Sequence, residues 1–212
     1  MELTVGITGA SGALYAQRTL VHLAASGVVE RVNLTISEAA VVVAQVELGV
    51  NLRGGEARAV NEWVGLPPES KLIRLHRLDN MAATPSSGSH PQVGMIIVPC
   101  SMGTLGAIAS GAGINLIHRA ADVTLKEGRK LVIVPRESPY NAIHLENMLR
   151  LAHAGARILP ASPGFYHRPQ TILELVDHLV FRILDQFGIP HTQATQWRGA
   201  QTENAAVVVE EE

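Results

Sequence analysis

The stretch Leu131-Val132-Ile133-Val134, cut short by Pro135-Arg136-Glu137-Ser138-Pro139, constrains the fold of this chain more than any other. An unbroken, β-branched apolar run has no polar face, so it predicts a strand buried on both sides, as in a parallel sheet covered by helices. In open α/β sheets, ligands bind beyond the carboxyl ends of such strands. Arg136 and Glu137 therefore sit either in an active-site crevice or in a salt-bridged surface turn, and the stretch alone leaves both readings open.

The same pattern recurs upstream. Leu3 to Ile7 reads as a strand that opens onto Thr8-Gly9-Ala10-Ser11-Gly12-Ala13, after which Ala13, Ala16, Leu20, Val21 and Ala24 mark one side of a helix. Two glycines beside Ser11 suit close backbone approach to a ligand, and a helix start favours an anion, so this turn is a candidate phosphate cradle as well as a plain strand-to-helix turn. Val32, Leu34 and Ile36 form a second strand ending at Ser37, the cap position of a helix that runs to about Leu48; Glu47, late in that helix, reads as a solvated side chain. Residues 51–70 read as a surface connection, Leu72 to Leu75 as a short strand, and Thr84 to Ser89 as a hydroxyl-rich loop able either to close over a ligand or merely to link. Met95 to Val98 is another buried strand, ending in Pro99-Cys100-Ser101-Met102-Gly103-Thr104 before a helix over 105–110. Repeated strand ends of this kind on one edge would gather amides and hydroxyls into one crevice, suited to a phosphate and a polar heterocycle.

A helix over Asn115–Glu127 places Arg119, Asp122 and Lys126 on one face, where an ion-pair ladder is the ordinary reading. Asn141–His153 reads as a helix, Arg157–Leu159 as a last strand and 160–169 as a Pro-rich loop. The helix expected over 170–187 carries an apolar stripe from Ile172 to Ile183 with Arg182 on it or at its edge, and a cation there calls for a buried anion or a partner chain. The whole is a single doubly wound, Rossmann-like (flavodoxin-like) α/β domain with a parallel sheet, spanning 1–190, and residues 191–212 form an extension whose end is expected to be disordered.

A net charge of −2 gives no basic footprint, so nucleic acid is not expected as a partner; no run long enough to span a membrane and no leader pattern is seen, so a soluble, cytoplasmic protein is expected. One cysteine excludes an intrachain disulfide, and scattered histidines indicate no metal site.

GITGASGALY at the start, SEAA at 37–40, SSGS at 86–89, PCSMGTL at 99–105, NLIHRAADVTLKE at 115–127, LVIVPRESP at 131–139, IHLENML at 143–149 and PGFYHRPQTI at 163–172 resemble the flavin prenyltransferases, the UbiX family, earlier described as aromatic-acid decarboxylases. The resemblance covers the chain to about Trp197. It implies transfer of the dimethylallyl group of dimethylallyl phosphate to N5 and C6 of reduced FMN, without a metal, and delivery of the prenylated FMN to a UbiD-type decarboxylase. It implies that Gly9, Ala10, Ser11, Ser37, Ser101, Met102, Gly103, Thr104 and Arg136 hold FMN, and that Tyr166 and Arg182, with Lys126 beside them, hold the prenyl phosphate. Glu47, Arg119, Lys126, Glu137 and Ser11 are the implied catalytic group; the chemistry of that reaction suits Glu137 as acid and base and makes Trp197 a candidate apolar wall. It also implies a homo-oligomer, trimers assembled into a dodecamer, with sites between subunits. The segment KEGRK at 126–130 departs from the family's commoner KERRP, and SSGS from ASGS. Two alternatives remain: an FMN-dependent cysteine decarboxylase using Cys100, and a flavin-binding protein without turnover.

Overall fold

Parallel pairing dictates the architecture. A computed structural model describes residues 1–191. Its elements in chain order are β1 (Glu2–Ile7), α1 (Ala13–Ala25), β2 (Arg31–Ile36), α2 (Glu38–Leu48), α3 (Ala57–Trp63), β3 (Ile73–His76), β4 (Gly94–Cys100), α4 (Met102–Ala109), α5 (Leu116–Lys126), β5 (Lys130–Pro135), α6 (Ala142–His153), β6 (Arg157–Ile158) and α7 (Ile172–Asp185). The strands form one sheet in the order β3-β2-β1-β4-β5-β6, every neighbouring pair parallel. The order reverses between β1 and β4, and in sheets of this kind ligands bind beyond the carboxyl ends of the strands at that point.

Alternation along the strands makes two cores. Leu3, Val5, Val32, Leu34, Ile96, Val98, Val132 and Val134 pack against α1 and α7 on one face. Met95, Ile97, Leu131 and Ile133 pack against α4, α5 and α6 on the other, where a Cβ on Gly6 would lie 3.1 Å from Ile117 Cγ2 of α5. On that second face the β1–β3 half of the sheet is polar and lies beneath the 84–92 segment. Asn33 donates to Glu2 at 2.6 Å, His76 bonds Asn33 at 2.9 Å, and His90 bonds Glu2 at 2.6 Å.

The elements differ from the sequence reading in a few places. The 51–70 connection contains α3, held by the buried Asn61, whose amide donates to the Pro68 and Ser70 carbonyls at 3.1 and 3.0 Å. The buried stripe of α1 runs through Thr19 and Leu23 rather than Val21 and Ala24. The fourth helix begins at Met102, one residue after its Ser101 cap. On α7 the first stripe residue, Ile172, is 72% exposed, and the charge that is buried is Asp177, which Arg18 of α1 grips with bonds of 2.6 Å. The 84–89 loop is tied down, Ser86 by Arg119 at 3.2 Å and Gly88 by Arg129 at 2.6 Å.

Candidate active site

Thr8 joins the loops that follow β1 and β4. Its amide and hydroxyl both donate to the Pro99 carbonyl, at 3.2 and 2.9 Å, and its oxygen accepts from the Ser101 amide at 2.8 Å. Arg136 adds the loop after β5: its amide donates to the Cys100 carbonyl at 3.2 Å and its Nε to the Ser11 carbonyl at 3.0 Å. Ser37 caps α2 by accepting from the Ala40 amide at 3.2 Å, and Ser101 caps α4 by accepting from Thr104 at 3.3 Å. Capping uses a lone pair only, so each hydroxyl keeps a proton to give; that of Ser101 goes to Thr104 Oγ1 at 3.1 Å. Gly9, Ala10, Ser11, Ser37, Ser101, Met102, Gly103, Thr104 and Arg136 thus share one edge of the sheet. Gly9 is there for packing, since a Cβ on it would fall 2.4 Å from that of Ala39.

Glu47 is exposed, as the solvated reading expects, but its carboxylate is tied down. It reaches from the last turn of α2 to the start of α1, accepting from the Gly12 amide at 3.0 and 3.1 Å and the Ala13 amide at 2.8 Å. Gly12, at φ 115°, supplies the left-handed turn that aims those amides at it. Ser11 therefore does not cap α1; its hydroxyl lies near the same carboxylate and favours its ionised form. Burial alone would raise the Glu47 pKa, but the Ser11 hydroxyl, the Ala13 and Gly12 amides and the Arg136 charge together outweigh it and hold it below the ordinary carboxylate value. The anion place at the start of α1 is filled by the chain's own carboxylate. Glu137 stands exposed beside Arg136, its carboxylate accepting from the Ser138 amide at 3.0 Å. Cys100 is fully buried, and burial pushes its thiol pKa far up, so it presents no thiolate to this edge.

The remaining implied residues fall into separate places. Tyr166, on the loop after β6, bonds His178 of α7 at 2.8 Å, and Arg182 lies one turn further along α7, bonded to Asp185 at 2.8 Å. Arg119 bonds Asp122 at 2.8 Å, as the ladder reading expects, but Lys126 leaves that ladder and pairs with Glu127. Since α5 ends just before β5 begins, Lys126 lies toward the amino edge of the sheet, on the face opposite α7. A single chain brings Ser11, Glu47, Arg136 and Glu137 together; it does not bring Lys126 to Arg182.

An open groove of about 810 Å³ lies one strand away, lined by Ile36, Glu38, Leu75, His76, Arg77 and Asn115 among others. It flanks Ser37 but contains none of the other implied residues, so the hydrogen-bonded edge locates the site better than the groove's size. Thr8 and His178 were not singled out from the sequence. Thr8 stands directly before the GAS motif, which is a signal, whereas nothing in the sequence pairs His178 with Tyr166.

The flavoprotein family profile matches residues 1–181. The flavin prenyltransferase UbiX of Alkalihalophilus pseudofirmus is 48% identical over 196 residues, 92% of this chain and 95% of that protein. Among solved structures, a dodecameric FMN-dependent UbiX-like decarboxylase from Escherichia coli O157:H7 superposes with a TM-score of 0.82 at 42% identity, covering 94% of this chain and all of that one. A UbiX protein in complex with FMN and dimethylallyl pyrophosphate superposes at 0.78 with 37% identity, over 92% of this chain and 98% of its own. Cysteine decarboxylases such as SpaF, at 17% identity and a TM-score of 0.52, share the fold alone.

Proposed function

This chain belongs to the flavoprotein family and, within it, to the flavin prenyltransferases, and from that membership we propose that it joins the dimethylallyl group of dimethylallyl phosphate to N5 and C6 of reduced FMN, giving the prenylated FMN used by a UbiD-type decarboxylase. The observation that carries the reading is the edge beyond the switch point of the sheet, where Arg136 bonds the Ser11 carbonyl and Glu47 bonds the Gly12 and Ala13 amides beside it. The donors there fit FMN: helix starts at Ser37 and Ser101, an exposed Ser11 hydroxyl and a half-buried guanidinium suit a phosphate and a polar ring system. Gly9, Ala10, Ser11, Ser37, Ser101, Met102, Gly103, Thr104 and Arg136 would hold it. Bound and reduced, FMN supplies the nucleophile.

The chain's own residues then have to manage charge and one proton. As the carbon–oxygen bond of the prenyl phosphate breaks, negative charge grows on the departing phosphate, and Lys126, Arg182 and the Tyr166 hydroxyl are the donors that stabilise it without a metal. Glu47 is held ionised by its amides and is a weak base, so its part is to orient Ser11 and balance Arg136. Glu137, exposed on the same edge, is left to accept the proton released when the second carbon bond closes, with Ser11 or the released phosphate as relay. Arg119 keeps the 84–89 segment against α5.

Lys126 and Arg182 stand on opposite faces of the sheet, so a phosphate held by both lies between copies of the chain. We therefore propose a homo-oligomer built from trimers into a dodecamer. In support, α2 exposes Val42 and Val46 in one row, and α6 exposes Leu145 and Leu149 in another. The proposed location is the cytoplasm; no helix among the described residues is long and apolar enough to cross a membrane. Residues 1–190 form the proposed catalytic domain and 191–212 the extension; the extension from residue 192, with Trp197 and the acidic end, lies outside the described residues.

Activation of an apo UbiD-type decarboxylase tests this function. Decarboxylation is expected only when this protein, FMN, a reductant and dimethylallyl phosphate have been incubated together. Equal activation with dimethylallyl phosphate left out would overturn the reading.

A further inference from the structure

Tyr166 lies on the loop between β6 and α7, which has no backbone ladder to hold it. Its position is set instead by a cluster of rings. The hydroxyl is 2.8 Å from His178 Nε2, and the two rings meet edge to face at 5.3 Å. His167 stacks on His178 at 4.5 Å with an interplanar angle of 15°. A Cβ on Gly164 would lie 3.0 Å from the Tyr166 ring and 3.4 Å from His178 Cε1, so the loop backbone closes over both. Arg182 is four residues beyond His178 and therefore on the same side of α7.

We infer that His178 is a positioning residue for the prenyl-phosphate subsite, holding the Tyr166 hydroxyl on the Arg182 side of α7 so that tyrosine and arginine meet one phosphate. The inference rests on the reading that Tyr166 and Arg182 bind that phosphate. Burial first, then the stacked His167 and the nearby Arg182, lower the His178 pKa and favour a neutral ring. His178 Nδ1 is buried and has no hydrogen-bond partner among the described residues. A neutral ring with its proton on Nε2 donates to the Tyr166 oxygen, and Tyr166 can then pass its own proton to a phosphate oxygen. With the proton on Nδ1 the tyrosine donates to His178 instead, and the phosphate loses that donor. Phosphate binding therefore selects the Nε2–H tautomer, and no net proton is gained or lost.

The test is steady-state kinetics on the full chain with dimethylallyl phosphate as the varied substrate, together with FMN titration. His178→Phe keeps the ring stack and removes the nitrogen. It is expected to raise KM for dimethylallyl phosphate about three- to tenfold, the worth of one hydrogen bond, with the loss falling mainly on KM and FMN affinity unmoved. His178→Gln, whose amide N–H reaches a similar place, is expected to recover most of that loss. In a Tyr166→Phe background His178→Phe should add nothing further. An unchanged KM in His178→Phe, or the same added loss in the Tyr166→Phe background, overturns the inference. If Tyr166→Phe and Arg182→Ala raise KM while His178→Phe does not, the inference alone fails. If neither of those two raises it, the subsite reading fails and takes the inference with it.

Discussion

Lys126→Ala in one population of chains and Arg182→Ala in another should each remove turnover, and chains of the two kinds assembled together should recover part of it. The size of the recovery follows from where the residues stand. Helix α5 has 11 residues, so Lys126 lies about 15 Å along it from the carboxyl-edge end. Helix α7 packs on the opposite face, and two helices on opposite faces of a sheet stand roughly 20 Å apart with the strands between them. No pair of side chains from one chain closes that gap, so each phosphate site takes Lys126 from one copy and Arg182 from another. With random assembly of equal amounts, about one site in four draws both residues intact. Co-expression of the two variants under different affinity tags, purification through both tags and quantitation of prenylated flavin should give about a quarter of the unsubstituted turnover. A mixed oligomer no more active than the two variants measured apart would show that each site lies within one chain, and the reasoning from sheet faces would be refuted.

Other consequences are more local. Glu47→Gln should destabilise the fold by about 0.5–1 kcal/mol in urea at neutral pH, the worth of a partly solvated helix cap. Because the folded Glu47 pKa lies below its unfolded value, that stabilisation is complete above the ordinary carboxylate range and is lost as pH falls through the depressed value. The difference between the two proteins should therefore vanish in acid, and a difference that grew there would contradict the assignment. Asp177→Ala strands Arg18 in a half-buried place and should cost about 2–3 kcal/mol at constant m-value; a loss under about 0.5 kcal/mol would mean the pair is worth no more than a surface one. Cys100→Ala should leave turnover nearly intact, since the thiol is buried and protonated; loss of turnover with FMN still bound would instead favour a reactive cysteine.

Local chemistry made much of this legible in the sequence. Ser37, Ser101, Asn115 and Asn141 each accept from an amide at the start of a helix, as their residue types predict. The four-residue run 131–134 is fully buried, and the strand order reverses between β1 and β4. What could not be read depends on contacts distant in the chain. Helix α3 is held by the Asn61 amide, and a polar residue among Gly and Pro reads as loop. Glu47 caps a helix 34 residues upstream of it, so its role shows only once α1 and α2 lie side by side. The α7 stripe drew attention to Arg182 through periodicity, yet the buried charge is Asp177, whose partner lies 159 residues away. The separation of Lys126 from Arg182 follows from which face each helix covers, which the strand order decides.

The central claim is that this chain alkylates reduced FMN, and the most direct measurement is mass spectrometry of the flavin extracted after anaerobic incubation with FMN, dithionite and dimethylallyl phosphate. The account predicts a flavin heavier by one C5H8 unit, formed only when protein and prenyl phosphate are both present. Unmodified FMN, recovered from protein that demonstrably holds it, would contradict the claim.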